Sequence, residues 1–123
     1  MGVVCGSEIN FGSKIGENVK FEHPIGIVIG LGVTIHDNVI IYQNVTLGNH
    51  GKPNVAPSYP TMNSGVVISA NSSVIGNVTV GENSIIGAHS LVTRDVPPNC
   101  TVAGVPARVI SESNTKRLKK LIG

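Results

Sequence analysis

Aliphatic side chains recur every six residues along most of this chain. Val3, Ile9, Ile15, Phe21, Ile27, Val33, Val39 and Val45 keep the beat without a gap. It breaks, then resumes at Met62, Ile68, Val74, Val80, Ile86 and Val92. Small or apolar residues recur two positions earlier. These are Ser7, Ser13, Val19, Ile25 and Leu31 in the first half, and Val66, Ser72, Val78, Ser84 and Ser90 in the second. A helix would need a period of 3.6 and a plain strand a period of 2. Six is a multiple of two, so the aliphatics stay on one face of an extended chain. A bend after each set, at the small residues and at glycines such as Gly16, Gly81 and Gly87, closes that chain into a three-sided coil of ~18 residues.

Such coils stack at the strand spacing of about 4.8 Å. The spacing therefore predicts ladders of inward side chains, Ile9 with Ile27 and Val45, and Val3 with Phe21 and Val39. It leaves Ile29, Ile40, Tyr42, Val67 and Ile75 on the outer faces. One coil has no core of its own; stacking creates it. Each buried aliphatic contributes roughly 1.5–3 kcal/mol. The competing architecture, a β-sandwich with turns every 8–12 residues, does not produce so long a register. The predicted fold is all-β, a parallel β-helix over residues 1–110.

Two segments leave the pattern. Residues 48–61, GNHGKPNVAPSYPT, are rich in proline and cannot continue a ladder, so they are expected to protrude as a loop from one corner. Long loops on rigid scaffolds commonly carry function. After Val92, Pro97, Pro98 and Pro106 stop the coils. Residues 111–123 are expected to form a short helical tail, capped by Ser111 or Ser113, with Lys116, Arg117, Lys119 and Lys120 as a solvated basic cluster.

Composition narrows the function. With 41% apolar and 13% charged residues, the 123-residue chain is a globular domain and not a disordered one. A net charge of +2 does not argue for nucleic acid. Cys5 and Cys100 make neither a disulfide framework nor a C-x-x-C pair, which suits a reducing compartment. No basic stretch followed by an apolar run opens the sequence, and no apolar run approaches a membrane span. A cytoplasmic location is expected.

Three segments carry a family resemblance: GSEINFGSKIGENVKFEHPIGIVIG, then VTLGNHGK, then DVPPNCTVAGVPARVI. Over residues 5–110 the chain resembles the catalytic domain of serine acetyltransferases and related polysaccharide and capsule O-acetyltransferases. The resemblance implies a left-handed β-helix of about five coils. It also implies acetyl-coenzyme A as co-substrate, and a homotrimer whose active sites lie between subunits. Three features depart from the serine enzymes. Their large helical N-terminal domain has no counterpart in these residues. Ser58 and Tyr59 stand where an Arg-His pair helps to hold serine. Glu22 stands where an Asp precedes the catalytic His. These departures favour the hydroxyl of a sugar or polysaccharide precursor over L-serine. Serine O-acetylation, N-acetylation of an amino-sugar nucleotide and a non-catalytic scaffold are the alternatives.

Acetyl transfer to an alcohol needs a base, and imidazole titrates in the working pH range. His23 lies two residues past Phe21, near a bend, where it should project outward. The resemblance makes it the general base and makes Glu8 the carboxylate that orients it. Glu22 would contact substrate. His50, in the loop, is the rival base or an acceptor contact; Tyr59 is an acceptor contact or a loop anchor. His36 and His89 match no motif. The resemblance assigns Asn49, Ala70 and Ala88 to the pantetheine arm, with a backbone N–H near Ala70 facing the oxyanion. It assigns Thr93, Arg94, Gly104 and Arg108 to the nucleotide end, where a guanidinium fork suits phosphate. No G-x-x-x-x-G-K-[ST] loop is present. The four histidines lack the spacing of a three-His zinc site, so no metal is expected.

Overall fold

The structure, a computed structural model, describes residues 2–4, 6–10 and 12–112. Short strands follow one another: β1 (Gly2–Val4), β2 (Ser7–Ile9), β3 (Lys14–Ile15), β4 (Lys20–Phe21), β5 (Val28–Ile29), β6 (Thr34–Ile35), β7 (Ile40–Ile41) and β8 (Thr46–Gly48). After the loop come β9 (Thr61–Met62), β10 (Val67–Ile68), β11 (Ser73–Ile75), β12 (Thr79–Val80), β13 (Ile85–Ile86), β14 (Leu91–Val92), β15 (Thr101–Ala103) and β16 (Arg108–Ser111). None of the described residues is helical.

Consecutive strands from β2 to β14 visit three sheets in rotation. Sheet A has the order β1-β2-β5-β8-β11-β14, sheet B β12-β9-β6-β3, and sheet C β16-β15-β13-β10-β7-β4. Pairing within the rotation is parallel. The result is a three-walled parallel β-helix. From β5 to β14 each short strand points an apolar side chain inward, and a second inward residue stands two positions before it; Ile15 of β3, in the first coil, is 41% exposed. Ile27, Ile29, Val33, Ile35, Val39, Ile41, Val45 and Leu47 are all buried, as are Met62, Val66, Ile68, Val74, Val78, Val80, Ile86 and Val92.

The corners have their own chemistry. The residue before the inward pair turns with positive φ: Asn18, Asn38, Asn44, Asn71, Asn83, His89 and Asn99. Asn tolerates this region because its short polar side chain bonds locally. Gly26 takes the same role below Asn44, and there a side chain would run into Asn44 Oδ1.

The register differs from the six-residue reading in the first half. Ile25 and Leu31, two positions before the expected inward residues, are 61% and 54% exposed; Ile29, expected outside, is 2% exposed. The cause is a two-residue insertion at the His23–Gly26 corner. Glu8 pairs with Val28, twenty residues on, whereas Val28 pairs with Thr46, eighteen on. The ladder runs Ile9–Ile29–Leu47, and Phe21 pairs with Ile41. The insertion is hidden in the sequence because both inward positions are aliphatic from Ile27 to Leu47. The beat of six survives in either register. Val3 also leaves its expected ladder, since β1 runs antiparallel to β2.

At the far end β16 folds back antiparallel on β15, with Ser111 opposite Thr101. The helical tail expected from residue 111 therefore begins in a strand, because Ser111 completes this hairpin. Its remainder, from residue 113, lies outside the described residues.

Buried serines recur as clamps between coils. Ser72 Oγ donates to Gly87 C=O (2.8 Å) and accepts from Ser90 N–H (3.2 Å). Ser84 Oγ donates to Pro97 C=O (2.6 Å) and accepts from Cys100 N–H (3.3 Å). Ser7 Oγ donates to Pro24 C=O (2.8 Å) and accepts from Ile27 N–H (3.0 Å). A buried hydroxyl is tolerable only when bonded, and each of these is.

Candidate active site

One edge of the prism, the corner between sheets C and A, collects several of the candidates. Asn44 N–H donates to Ile25 C=O (2.9 Å), Asn71 N–H to Gln43 C=O and His89 N–H to Ala70 C=O (both 3.0 Å). These bonds stack Ile25, Gln43, Ala70 and Ala88 into a column. His23 stands at its foot. Ala70 and Ala88 keep its upper part narrow in profile. Gln43 Oε1, in the middle, is buried without a partner among the described residues. A lone Gln before a corner Asn has no spacing that would mark it in the sequence.

His23 is exposed and has φ +52°. Ile25 N–H donates to His23 C=O (2.6 Å), closing a tight turn around Pro24. A non-glycine residue in this region, before a proline, is held there by its surroundings. Those surroundings are the Ser7 clamp on Pro24 and Ile27. Glu8, next to Ser7, is half-buried, and its N–H donates to Ile27 C=O (2.7 Å). Segments 7–8 and 23–24 thus lie side by side. Glu22 is half-buried, and its N–H donates to Ile41 C=O (2.8 Å).

The loop of residues 49–60 leaves from a different edge, between sheets A and B. Its base is tied internally. His50 Nδ1 accepts from Lys52 N–H (2.9 Å), which leaves Nε2–H to donate to Ala56 C=O (3.1 Å). Asn49 Oδ1 accepts from Ser58 N–H (3.4 Å). The Tyr59 ring lies against Gly30 and Gly32, where any side chain would collide with it. Both His50 nitrogens are thus engaged in holding the loop, and Tyr59 anchors its return. His50→Ala is expected to speed cleavage of residues 49–60 by a non-specific protease several-fold. Time-resolved mass mapping would measure this; unchanged cleavage would remove the pin role.

Within one chain His23 and the loop are not brought together: the width of sheet A separates their edges. Thr93, Arg94 and Arg108 line one open cleft with Asp95 and Ala107 near the β16 end. Thr93 also borders a second cleft with His50, Lys52, Ile75 and Asn77. Gly104, exposed with φ +102°, donates its N–H to Ser90 Oγ (3.2 Å). Among the described residues, no group of three or more His, Cys, Asp or Glu is placed to hold a metal ion. Among the described residues, no helix long and apolar enough to cross a membrane is present.

Residues 59–94 match the bacterial transferase hexapeptide (six repeats) family. The serine acetyltransferase of Synechococcus elongatus is 43% identical over 114 residues, covering 93% of this chain and 46% of that protein. The serine acetyltransferase of Buchnera aphidicola is 44% identical over 110 residues, covering 89% and 40%. A serine acetyltransferase structure in complex with cysteine superimposes with TM-score 0.82 at 41% identity, covering 87% of this chain and 41% of the other. The Brucella abortus serine acetyltransferase in complex with coenzyme A gives TM-score 0.79 at 41% identity, covering 83% and 40%. The chain thus spans roughly half the length of these relatives or less.

These matches overturn the sugar or polysaccharide precursor as the favoured acceptor, because the similar proteins are serine acetyltransferases. The expectation leaned in part on Ser58 and Tyr59. In the structure Tyr59 is a loop anchor against Gly30 and Gly32, so a changed residue there does not by itself redefine the acceptor.

Proposed function

We propose, from the premise that this chain is a serine acetyltransferase-like hexapeptide-repeat transferase, that it moves the acetyl group of acetyl-coenzyme A onto the hydroxyl of L-serine. The observation that carries the reading is the sheet C–sheet A edge, with an exposed histidine at its foot and two alanines above it. His23 takes the proton as the serine oxygen attacks the thioester carbonyl. Collapse of the tetrahedral intermediate breaks the C–S bond, and the proton passes to the leaving thiolate. The products are O-acetylserine and free coenzyme A. Glu8 orients the His23 ring, and Glu22 faces the acceptor.

The pantetheine arm lies along the edge past Ala70 and Ala88. Asn49 closes on it from the loop, and a backbone N–H near Ala70 faces the oxyanion. Thr93, Arg94, Gly104 and Arg108 receive the nucleotide end. The clefts at the sheet A–sheet B corner and beside β16 give it room. A bound coenzyme A in the Brucella abortus relative supports this choice of co-substrate. His23 and the loop stand on different edges of one chain, so a complete site joins two copies, as in a homotrimer. The loop that His50 and Tyr59 hold in shape would then approach the acceptor from the neighbouring subunit. The reading includes a left-handed coil of about five turns, a β-helix domain over 1–110 with a tail over 111–123, and a cytoplasmic location.

The test is thiol release from acetyl-coenzyme A, followed with a disulfide reagent. Release is expected to depend on L-serine and to saturate with it. Release that is no faster with serine than with buffer would remove this function.

A further inference from the structure

We propose that Ser7 is a positioning residue for His23, an inference that rests on the functional reading above. Three serine clamps of one design stand in this β-helix. Two of them, at Ser72 and Ser84, tie ordinary corners near Gly87 and Pro97. The third ties the corner that holds two extra residues. Ser7 is 1% exposed, and its hydroxyl joins Pro24 C=O to Ile27 N–H. The bonded carbonyl belongs to the residue directly after His23. His23 itself sits at φ +52° in a turn closed by one bond from Ile25. An insertion has no partner segment in the coil above, so the regular ladder cannot set its shape. The Ser7 hydroxyl pins the far side of the bulge, from the carbonyl directly after His23 to Ile27 N–H, and so sets where the imidazole leaves the edge. Glu8 follows Ser7 on the same strand, so the clamp also ties the carboxylate's strand to the base's corner.

A merely structural serine can be told apart from this. Val45 occupies the same inward position two coils above Ser7, so Ser7→Val packs as the repeat does elsewhere and removes only the hydrogen bonds. Ser7→Thr has the same shape and restores the hydroxyl. Ser84→Val removes the corresponding clamp at the opposite end. The His23 ring resonance, in protein carrying isotope-labelled histidine, reads position without any substrate. His36, His50 and His89 are internal references.

Ser7→Val is expected to shift the His23 resonance and leave the other three in place. In serine-dependent thiol release its kcat should fall about 10- to 100-fold, with both KM values within about twofold. Ser7→Thr should regain both properties, and Ser84→Val should lose neither. An unmoved His23 resonance in folded Ser7→Val overturns the inference. So does full kcat with a moved resonance, or an equal kcat loss in Ser84→Val. If Ser7→Val does not fold, Ser7→Ala takes its place with the same readouts. Wild-type protein without serine-dependent release would sink the functional reading, while the resonance would still decide whether Ser7 places His23.

Discussion

His23→Ala is expected to lower kcat for serine-dependent thiol release by about 10²–10⁴-fold, the range that a positioned general base supplies. KM for acetyl-coenzyme A should change little, because the edge past Ala70 and Ala88 is untouched. His23 is exposed, on an edge that a narrow substrate can follow. His50 has both ring nitrogens committed to loop backbone, Nδ1 to Lys52 and Nε2 to Ala56. His50→Ala should therefore cost about tenfold or less in kcat, through a looser loop and not through a lost base. Steady-state kinetics on both variants decides the assignment. The reverse ranking would move the base to the loop.

Ile29→Ala is expected to destabilise the fold by about 2–5 kcal/mol, the usual cost of truncating a buried aliphatic. Ile25→Ala should stay within about 0.5 kcal/mol. The two residues are four apart and chemically identical, and a simple beat of six assigns them the opposite environments. Ile29 is 2% exposed and stacks between Ile9 and Leu47, whereas Ile25 is 61% exposed at the edge. Urea unfolding at one protein concentration would compare the midpoints, so that any subunit association is held constant. A larger loss at Ile25 would restore the uninterrupted register and remove the two-residue insertion.

Much of the architecture was legible in the spacing. Met62, Ile68, Val74, Val80, Ile86 and Val92 are buried where the beat puts them, with Val66, Ser72, Val78, Ser84 and Ser90 inside two residues earlier. That half is readable because Ser72, Ser84 and Ser90 mark the earlier inward position as distinct from the main one, which is always a large apolar residue. In the first half both inward positions are aliphatic, so the pattern cannot report a slip of two residues. The slip falls at the candidate base, where two extra residues before the Gly26 turn make a projecting corner. Histidines that look alike in sequence separate by their bonds. His89 turns a corner with φ +57°, His50 ties a loop, and His23 stands exposed.

Period and side-chain type sufficed to choose a stacked, three-walled coil, because one six-residue register held for so long does not fit the turns every 8–12 residues of a sandwich. Only the folded chain decided which edge each candidate occupies. An edge is made by residues from successive coils, eighteen to twenty-seven positions apart, and one inserted pair re-aims every side chain before it relative to those after it. The Ser7 clamp and the Tyr59 anchor exist only across that distance, through hydrogen bonding and ring contact between segments that share no local pattern.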